Sequence, residues 1–156
     1  MADLLDIANA ISDTNIVMPG NGVTIAGWRM DETRNMVITD SLPIRIMLPP
    51  GADGGSAVQN YEMVSYQYAT VVWRLTEIML YQNINRGGGV KNIWSYLTQY
   101  IHQYIATFSA MDARKLTTAA HIAGFEPQAA VLEWPRDSGN QFHGVQMTVL
   151  VEENIC

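Results

Sequence analysis

A long strand followed by a long amphipathic helix occupies the middle of the chain and constrains its fold more than any other feature. Residues Tyr66 to Leu80 are rich in the β-branched and aromatic side chains that favour strands. After a glycine-rich break, apolar residues return at helical spacing and form one face: Val90, Ile93, Trp94, Leu97, Tyr100, Ile101, Tyr104, Ile105, Phe108 and Met111. A helix of about 22 residues rises roughly 33 Å, enough to cover a small sheet. The middle of the chain is therefore predicted to be scaffold.

The remaining elements are one short helix and several short strands. Asp3 is positioned to cap a helix from Leu4 to Ile11. Alternating side chains predict further strands at Val23–Trp28, Met36–Thr39, Pro43–Leu48, Ala129–Trp134 and His143–Glu152, the last two joined as a hairpin. These elements predict a single α+β domain over residues 1–156. It should contain a mixed or antiparallel sheet, with one long and one short helix packed on one face.

The central strand is apolar on both of its faces. One face carries Val71, Trp73 and Leu75, and the other carries Tyr68, Val72 and Ile78. The long helix is expected to cover the first face. A neighbouring subunit is the simplest cover for the second, so Tyr68, Val72 and Ile78 are predicted interface residues.

The segment Pro49–Ser56 contains almost nothing that can pack against itself. Loops of this kind are commonly disordered or involved in binding. We expect a flexible loop over residues 49–60, with Pro49, Pro50 and Gly51 as a second contact element.

The composition narrows the class of protein. Charged residues make up 15% of the 156 residues, well below the usual quarter, which favours an oligomer with part of its surface buried. The formal charge is −6, and the nine Lys and Arg residues are scattered, so the chain does not have the basic patch of a nucleic-acid reader.

The ends of the chain bear on its compartment. Cys156 is the only cysteine, which excludes an intramolecular disulfide and fits a reducing compartment. The N-terminal segment carries Asp3 and Asp6 instead of basic residues, and no apolar run approaches the ~20 residues of a membrane span. We therefore expect a soluble protein made in the cytoplasm, without membrane contact.

The glycine run Arg86–Lys91 is the strongest candidate for a ligand site. Backbone N–H groups at a helix N-terminus bind anions. A Walker-type loop needs Ser or Thr directly after its lysine, however, and Asn92 follows Lys91 here. A flexible joint between strand and helix is the favoured interpretation.

The other reactive side chains do not form a recognisable site. His102, His121 and His143 lack the spacing of a compact metal motif, and Cys156 lies at a terminus where nothing lowers its pKa. Glu152 and Glu153 point to opposite faces of a strand, where solvation is their expected role. Packing in the core or at an interface accounts for the aromatic residues, namely Tyr66, Tyr68, Trp73, Trp94, Tyr96, Tyr100 and Tyr104. No catalytic, cofactor or metal site is predicted, and the chain is not expected to be an enzyme.

The order of elements resembles the tail terminator and neck proteins of long-tailed bacteriophages. The likeness covers a short first helix, early strands, the loop Pro49–Ser56, a long strand, a long helix and a closing hairpin that ends in Gly144–Glu152. It rests on this order, since the family offers no invariant motif to match residue by residue.

The resemblance implies a structural virion protein, assembled in the host cytoplasm, that forms a homo-oligomeric ring, usually of six copies. Such a ring caps the tail tube, joins it to the head–tail connector protein and lets genomic DNA pass without specific binding. Two alternatives remain open. One is another ring-forming virion part, such as a head-completion adaptor or a tail tube subunit, and the other is a small-molecule-binding or enzymatic α+β domain that uses the Arg86–Lys91 loop.

Overall fold

The computed structural model describes residues 3–20, 22–34, 38, 41–52, 54–84, 90–110, 116–117 and 119–155. The fold is α+β, with one short and one long helix, as the sequence predicts. In chain order the elements are α1 (Leu4–Ser12), β1 (Ile16–Val17), β2 (Thr24–Ile25), β3 (Gly27–Arg29), a 3₁₀ turn (Met30–Thr33), β4 (Ile44–Met47), β5 (Val58–Ser65), β6 (Tyr68–Asn83), α2 (Val90–Ser109), β7 (Ala120–Glu133) and β8 (Gln141–Ile155).

Most strands belong to one mixed sheet in the order β3-β4-β6-β8-β7. The short strands β3 and β4 are parallel, and the other pairs are antiparallel. Strand β5 pairs with the first half of β6, on the same side of β6 as β4. Strands β1 and β2 form a separate two-stranded sheet. The long strand β6 is therefore central, as predicted.

The observed strands differ most from the predicted ones in three places. Strand β5 begins at Val58, so the predicted loop over residues 49–60 ends earlier, and a tight turn at Tyr66–Gln67 separates β5 from β6. Strand β7 begins at Ala120 instead of Ala129, because pairing with β8 holds a stretch whose Gly124 and Pro127 look like loop residues. The predicted strand Val23–Trp28 is divided between β2 and β3, which lie in different sheets. The predicted strand Met36–Thr39 lies outside the described residues apart from Ile38.

Both helices pack on the same face of the sheet, as predicted. The Asp3 carboxylate accepts a hydrogen bond from the Asp6 N–H at 2.8 Å, and the Asp6 carboxylate accepts one from the Asp3 N–H at 3.3 Å, which together cap α1. The main core joins Ile7 and Ile11 of α1 to the buried face of α2 and to the sheet residues Leu75, Met79, Val145, Met147, Val149 and Val151.

The buried face of α2 is narrower than the sequence suggests. Ile93, Leu97, Tyr100, Tyr104 and Phe108 are buried, whereas the Trp94 side chain is 70% exposed. Trp94 was assigned to the apolar face, but one residue along a helix is a rotation of about 100°, which turns it away from the sheet. Met111 lies outside the described residues.

A smaller second core lies on the opposite face of the sheet. It contains Ile44, Ile46, Ile78, Leu80 and Phe142, and Ile38, Leu42, Leu48, Leu132 and Trp134 pack against it. The chain thus covers one end of the second sheet face with its own side chains.

A buried ion pair joins the strands to the first helix. The Arg45 and Glu77 side chains are 0% and 1% exposed. Arg45 Nε and Nη2 donate to the two carboxylate oxygens of Glu77 at 2.8 and 3.0 Å. Arg45 also donates to the carbonyls of Ile11, Thr14 and Ile25 at 3.2, 2.6 and 3.2 Å. Because each donor finds an acceptor, the charge is tolerated inside the core.

Aromatic rings of α2 surround this ion pair. The Arg45 guanidinium carbon lies 5.5 Å from the centre of the Tyr104 ring, close enough for a cation–π interaction. Burial by itself would lower the pKa of Arg45, but the charge of Glu77, helped by Tyr100 and Tyr104, outweighs it and leaves the pKa raised. Burial raises the pKa of Tyr100 and of Tyr104 well above the ordinary value, and the charge of Glu77 adds to the rise at both. Arg45 therefore stays charged, and these tyrosines stay neutral, across the physiological range.

The helix face can be tested with Leu97→Asp. Leu97 is 7% exposed, so the new carboxylate would be buried without a partner, and we expect it to cost several kcal/mol and unfold the domain. Gln99→Asp, on the exposed side of the same helix, is the matched control and should remain folded. Circular dichroism with thermal melting measures both, and a folded Leu97→Asp protein would contradict the buried-face assignment.

The ion pair can be tested with Glu77→Gln. This change leaves the Arg45 charge buried without its counter-ion, which should lower the free energy of unfolding by about 3–5 kcal/mol. Glu126→Gln is the control, because Glu126 makes a 3.0 Å ion pair with Arg74 but is 49% exposed. Its loss should cost at most about 1 kcal/mol. Urea denaturation compares the two variants, and equal losses would show that the buried pair does not hold the fold.

Candidate interaction surfaces

The three predicted interface residues of the central strand lie in different environments. Tyr68 is 53% exposed, Val72 is half-buried, and Ile78 is 4% exposed within the second core. All three lie on the sheet face opposite the helices, as expected from their spacing. A neighbour is not needed to cover Ile78, because the chain's own second core does so.

The rest of this sheet face is polar. Arg74 forms an ion pair with Glu126 at 3.0 Å and donates a hydrogen bond to Gln59 at 2.7 Å. The hydroxyls of Thr76 and Thr148 lie 3.4 Å apart at its centre. Thr76 and Thr148 are 2% and 3% exposed, so this polar centre is buried within the chain, and the face is not the second apolar face that the sequence predicts.

Glu152 and Glu153 point to opposite faces, as predicted, but only Glu152 is solvated. The Glu152 side chain is 39% exposed and lies 4.0 Å from His121 Nε2. Glu153 is 3% exposed, and its carboxylate accepts a hydrogen bond from the Trp73 indole N–H at 2.8 Å. The predicted solvation of Glu153 is wrong, because its face of β8 turns towards the helices.

The reactive residues singled out in the sequence do not converge in the described part of the chain. No group of three or more His, Cys, Asp or Glu residues there is arranged to hold a metal ion. The side chains of His102 and His121 are exposed, and His143 is half-buried. Residues 85–89, which include Arg86 and the three glycines of the run, lie outside the described part of the chain. The same is true of the Lys91 side chain and of Cys156.

A hairpin knob projects from one end of the sheet. We define it as residues 61–68, the tip of the β5–β6 hairpin. Its apolar side chains are strongly exposed: Tyr61 by 56%, Met63 by 66%, Val64 by 65%, Tyr66 by 98% and Tyr68 by 53%. Every residue of β5 is exposed, since β6 is its only strand neighbour in the described sheet. Tyr61 and Met63 lie on the helix side of the hairpin and Tyr68 on the other, so the knob presents exposed apolar side chains on both faces. Exposed apolar clusters mark interaction sites.

The predicted contact element at Pro49–Gly51 forms a turn. The Ala52 N–H donates to the Pro49 carbonyl at 3.0 Å, and Gly51 adopts a positive φ of 80° that favours glycine. Pro49 and Pro50 are exposed, and Gly51 is half-buried. The turn lies beside a groove of about 430 Å³, and Pro49 and Ala52 contribute to its wall.

A larger cleft opens at the end of the sheet opposite the knob. The Trp134 cleft, as we call it, has a volume of about 760 Å³. Its apolar wall consists of Met30, Ile38, Trp134, Pro135 and Phe142. Its polar rim consists of Asp31, Thr33, Arg34, Asn83, Arg136 and Asn140. Met30, Trp134 and Arg136 also line the 430 Å³ groove, so the two depressions adjoin.

Comparison with known proteins adds no relative. No protein family model matches this sequence, and a search of curated proteins finds no significant match. Neither α1 nor the described part of α2 combines the length and apolarity that crossing a membrane requires. The function must be argued from the surfaces themselves.

Sequence reasoning missed both the knob and the cleft. The knob was missed because the predicted loop covered residues 49–60 and no element was predicted for residues 61–65, where Val64 directly after Met63 breaks the alternation of a strand. The cleft unites segments that are distant in sequence, such as Met30 and Trp134, and short-range patterns do not record that proximity.

The exposure of the knob predicts that its side chains contribute little to folding. The double substitution Met63→Ser/Tyr66→Ser should change the free energy of unfolding by no more than about 0.5 kcal/mol per site, as at other surface positions. Val71→Ala is the control on the neighbouring strand, where Val71 is 3% exposed and its truncation should cost roughly 1.5–3 kcal/mol. Urea denaturation measures both, and a large loss in the knob variant would mean that the knob packs on its own domain.

Proposed function

We propose that this protein is a structural virion subunit, a tail terminator or neck protein that forms a ring between the tail tube and the head connector of a long-tailed bacteriophage. The ring is expected to have six copies, with genomic DNA passing through its centre. Two observations support this role: the order of elements in the sequence and the exposed surfaces of the fold.

The hairpin knob is the observation that carries the proposal. Five large apolar side chains between Tyr61 and Tyr68 are more than half exposed. A cluster of exposed apolar side chains at one hairpin tip favours a surface that is covered by another protein. A subunit that works only in an assembly has such a surface before it assembles.

The polar sheet face supports a channel-lining role. Strand register places Glu62, Glu126 and Glu152 on the same face as Val72, together with Arg74, whose charge is paired with Glu126. Acidic groups outnumber the arginine among these side chains, and a channel wall with an acidic balance lets DNA pass without holding it. The formal net charge of −6 points the same way.

Virus particles provide the test of this proposal. Mass spectrometry of purified virions should detect the chain, and electron microscopy of the head–tail junction should show it as a closed ring around the DNA path. Detection in another ring would support a head-completion or tail tube role instead. Absence from virions, or a closed dimer as the working state, would overturn the proposal.

A knob variant links the surface to the function. Virions carrying Met63→Ser/Tyr66→Ser should lose joined heads and tails, because the covered apolar contact is removed. Trp94→Ser is the matched control, since Trp94 is 70% exposed on α2 and away from the knob. The measurement is the number of joined particles in micrographs of both variants. Equal numbers would show that the knob is not needed for joining heads to tails.

A further inference from the structure

We propose that the hairpin knob of one copy docks into the Trp134 cleft of the next copy. The contact rests on the proposed function in one respect, that copies of this chain assemble with each other. It goes further by naming the two surfaces that meet.

The knob and the cleft lie at opposite ends of the long strands. Ala69 pairs with Ile155 at one end of β6, and Asn83 pairs with Phe142 at the other. A strand rises about 3.4 Å per residue, which separates these ends by roughly 45 Å. A knob therefore does not reach the cleft of its own chain and meets only that of another copy.

The two surfaces match in shape and apolarity. The knob projects Tyr66 and Met63, which are 98% and 66% exposed, from a narrow turn. The cleft offers about 760 Å³ with Trp134 and Phe142 in its wall. Burying the exposed parts of Tyr66 and Tyr68 removes on the order of 300 Å² from water. That is more than a third of the ~800 Å² that each partner buries in a standard interface.

The charges match as well. Glu62 is the only charged residue between Val58 and Tyr68. On the cleft rim, Asp31 lies 3.7 Å from Arg29, while Arg34 and Arg136 have no ion-pair partner among the described residues. The knob thus brings a carboxylate towards a rim with two guanidinium groups that have no ion-pair partner in the described part of the chain. A second knob, which is also acidic and apolar, offers no such complement.

A contact between two different surfaces is heterologous. Such a contact repeats from copy to copy and closes into a ring when the rotation between subunits allows it. A knob–knob contact would be isologous and would stop at a dimer. The knob–cleft contact is the one that a ring needs.

Disulfide trapping tests this contact even if the free subunits associate weakly. In a Cys156→Ser background, protein with Gln67→Cys, at the turn of the knob, is mixed with protein carrying Asn140→Cys, on the cleft rim, and mildly oxidised. The expected result is a cross-linked heterodimer at a yield on the order of tenfold above that of Gln67→Cys with Gln99→Cys, whose cysteine lies on the exposed side of α2. A yield equal to this control, or a dominant Gln67→Cys homodimer, would overturn the proposal.

A charge reversal separates docking from random collision. Adding Arg34→Glu to the Asn140→Cys protein should reduce the heterodimer yield severalfold, and adding Glu62→Arg to the Gln67→Cys protein should restore it. Full yield with Arg34→Glu but without Glu62→Arg would show that Glu62 and Arg34 do not contribute to the contact, and it would contradict the proposed charge complementarity. If the chain forms a ring in virions but gives no knob–cleft cross-links, the contact is wrong and the proposed function stands. If the cross-links form but the chain is absent from virions, the contact stands and the proposed function is wrong.

Discussion

The Arg45–Glu77 ion pair is the interaction on which the arrangement of the rest of the structure depends. Arg45 makes five hydrogen bonds, and they reach Glu77 on β6, Ile25 on β2 and the carbonyls of Ile11 and Thr14 at the end of α1. A buried guanidinium is stable only when its donors are satisfied, so these segments must come together for the domain to fold. The short N-terminal elements are thereby fixed against the long strands, although each is too short to be stable alone.

The sequence predicts those parts of the fold that depend on regular periodicity. The buried face of α2, from Ile93 to Phe108, follows from helical spacing, and strand alternation accounts for Arg45 lying on the opposite face of β4 from Ile44 and Ile46. Burial of that charge was not predictable, because its partner lies 32 residues away and becomes a neighbour only through β4–β6 pairing. Strand β5 was missed for a related reason: both of its faces are exposed, so burial imposes no clear alternation on it.

The interaction surfaces were predictable only in part. The second face of the central strand was correctly identified from Tyr68 and Val72, but the cover over Ile78 comes from residues such as Trp134 that no local pattern connects to it. The aromatic residues were assigned to the core or an interface as a group. Tyr100 and Tyr104 belong to the core, whereas Tyr66 is almost fully exposed on the knob. Composition counts aromatic residues, but only tertiary structure separates those that stabilise the domain from those available to a partner.

Strands β5 and β7 are poor templates for pairing with a strand of another copy, which favours the proposed contact through the ends of the sheet. Strand β5 is interrupted by register shifts between Val58 and Asn60 and between Met63 and Ser65. Strand β7 has a shift between Ile122 and Gly124 and contains Pro127, which lacks an N–H donor. Bulges and proline are devices that prevent an edge strand from adding another strand. With β5 and β7 protected in this way, the exposed apolar side chains at the tip of the β5–β6 hairpin remain available to a partner. The proposed contact between subunits would then depend on the fit of side chains instead of an extended ladder of backbone hydrogen bonds.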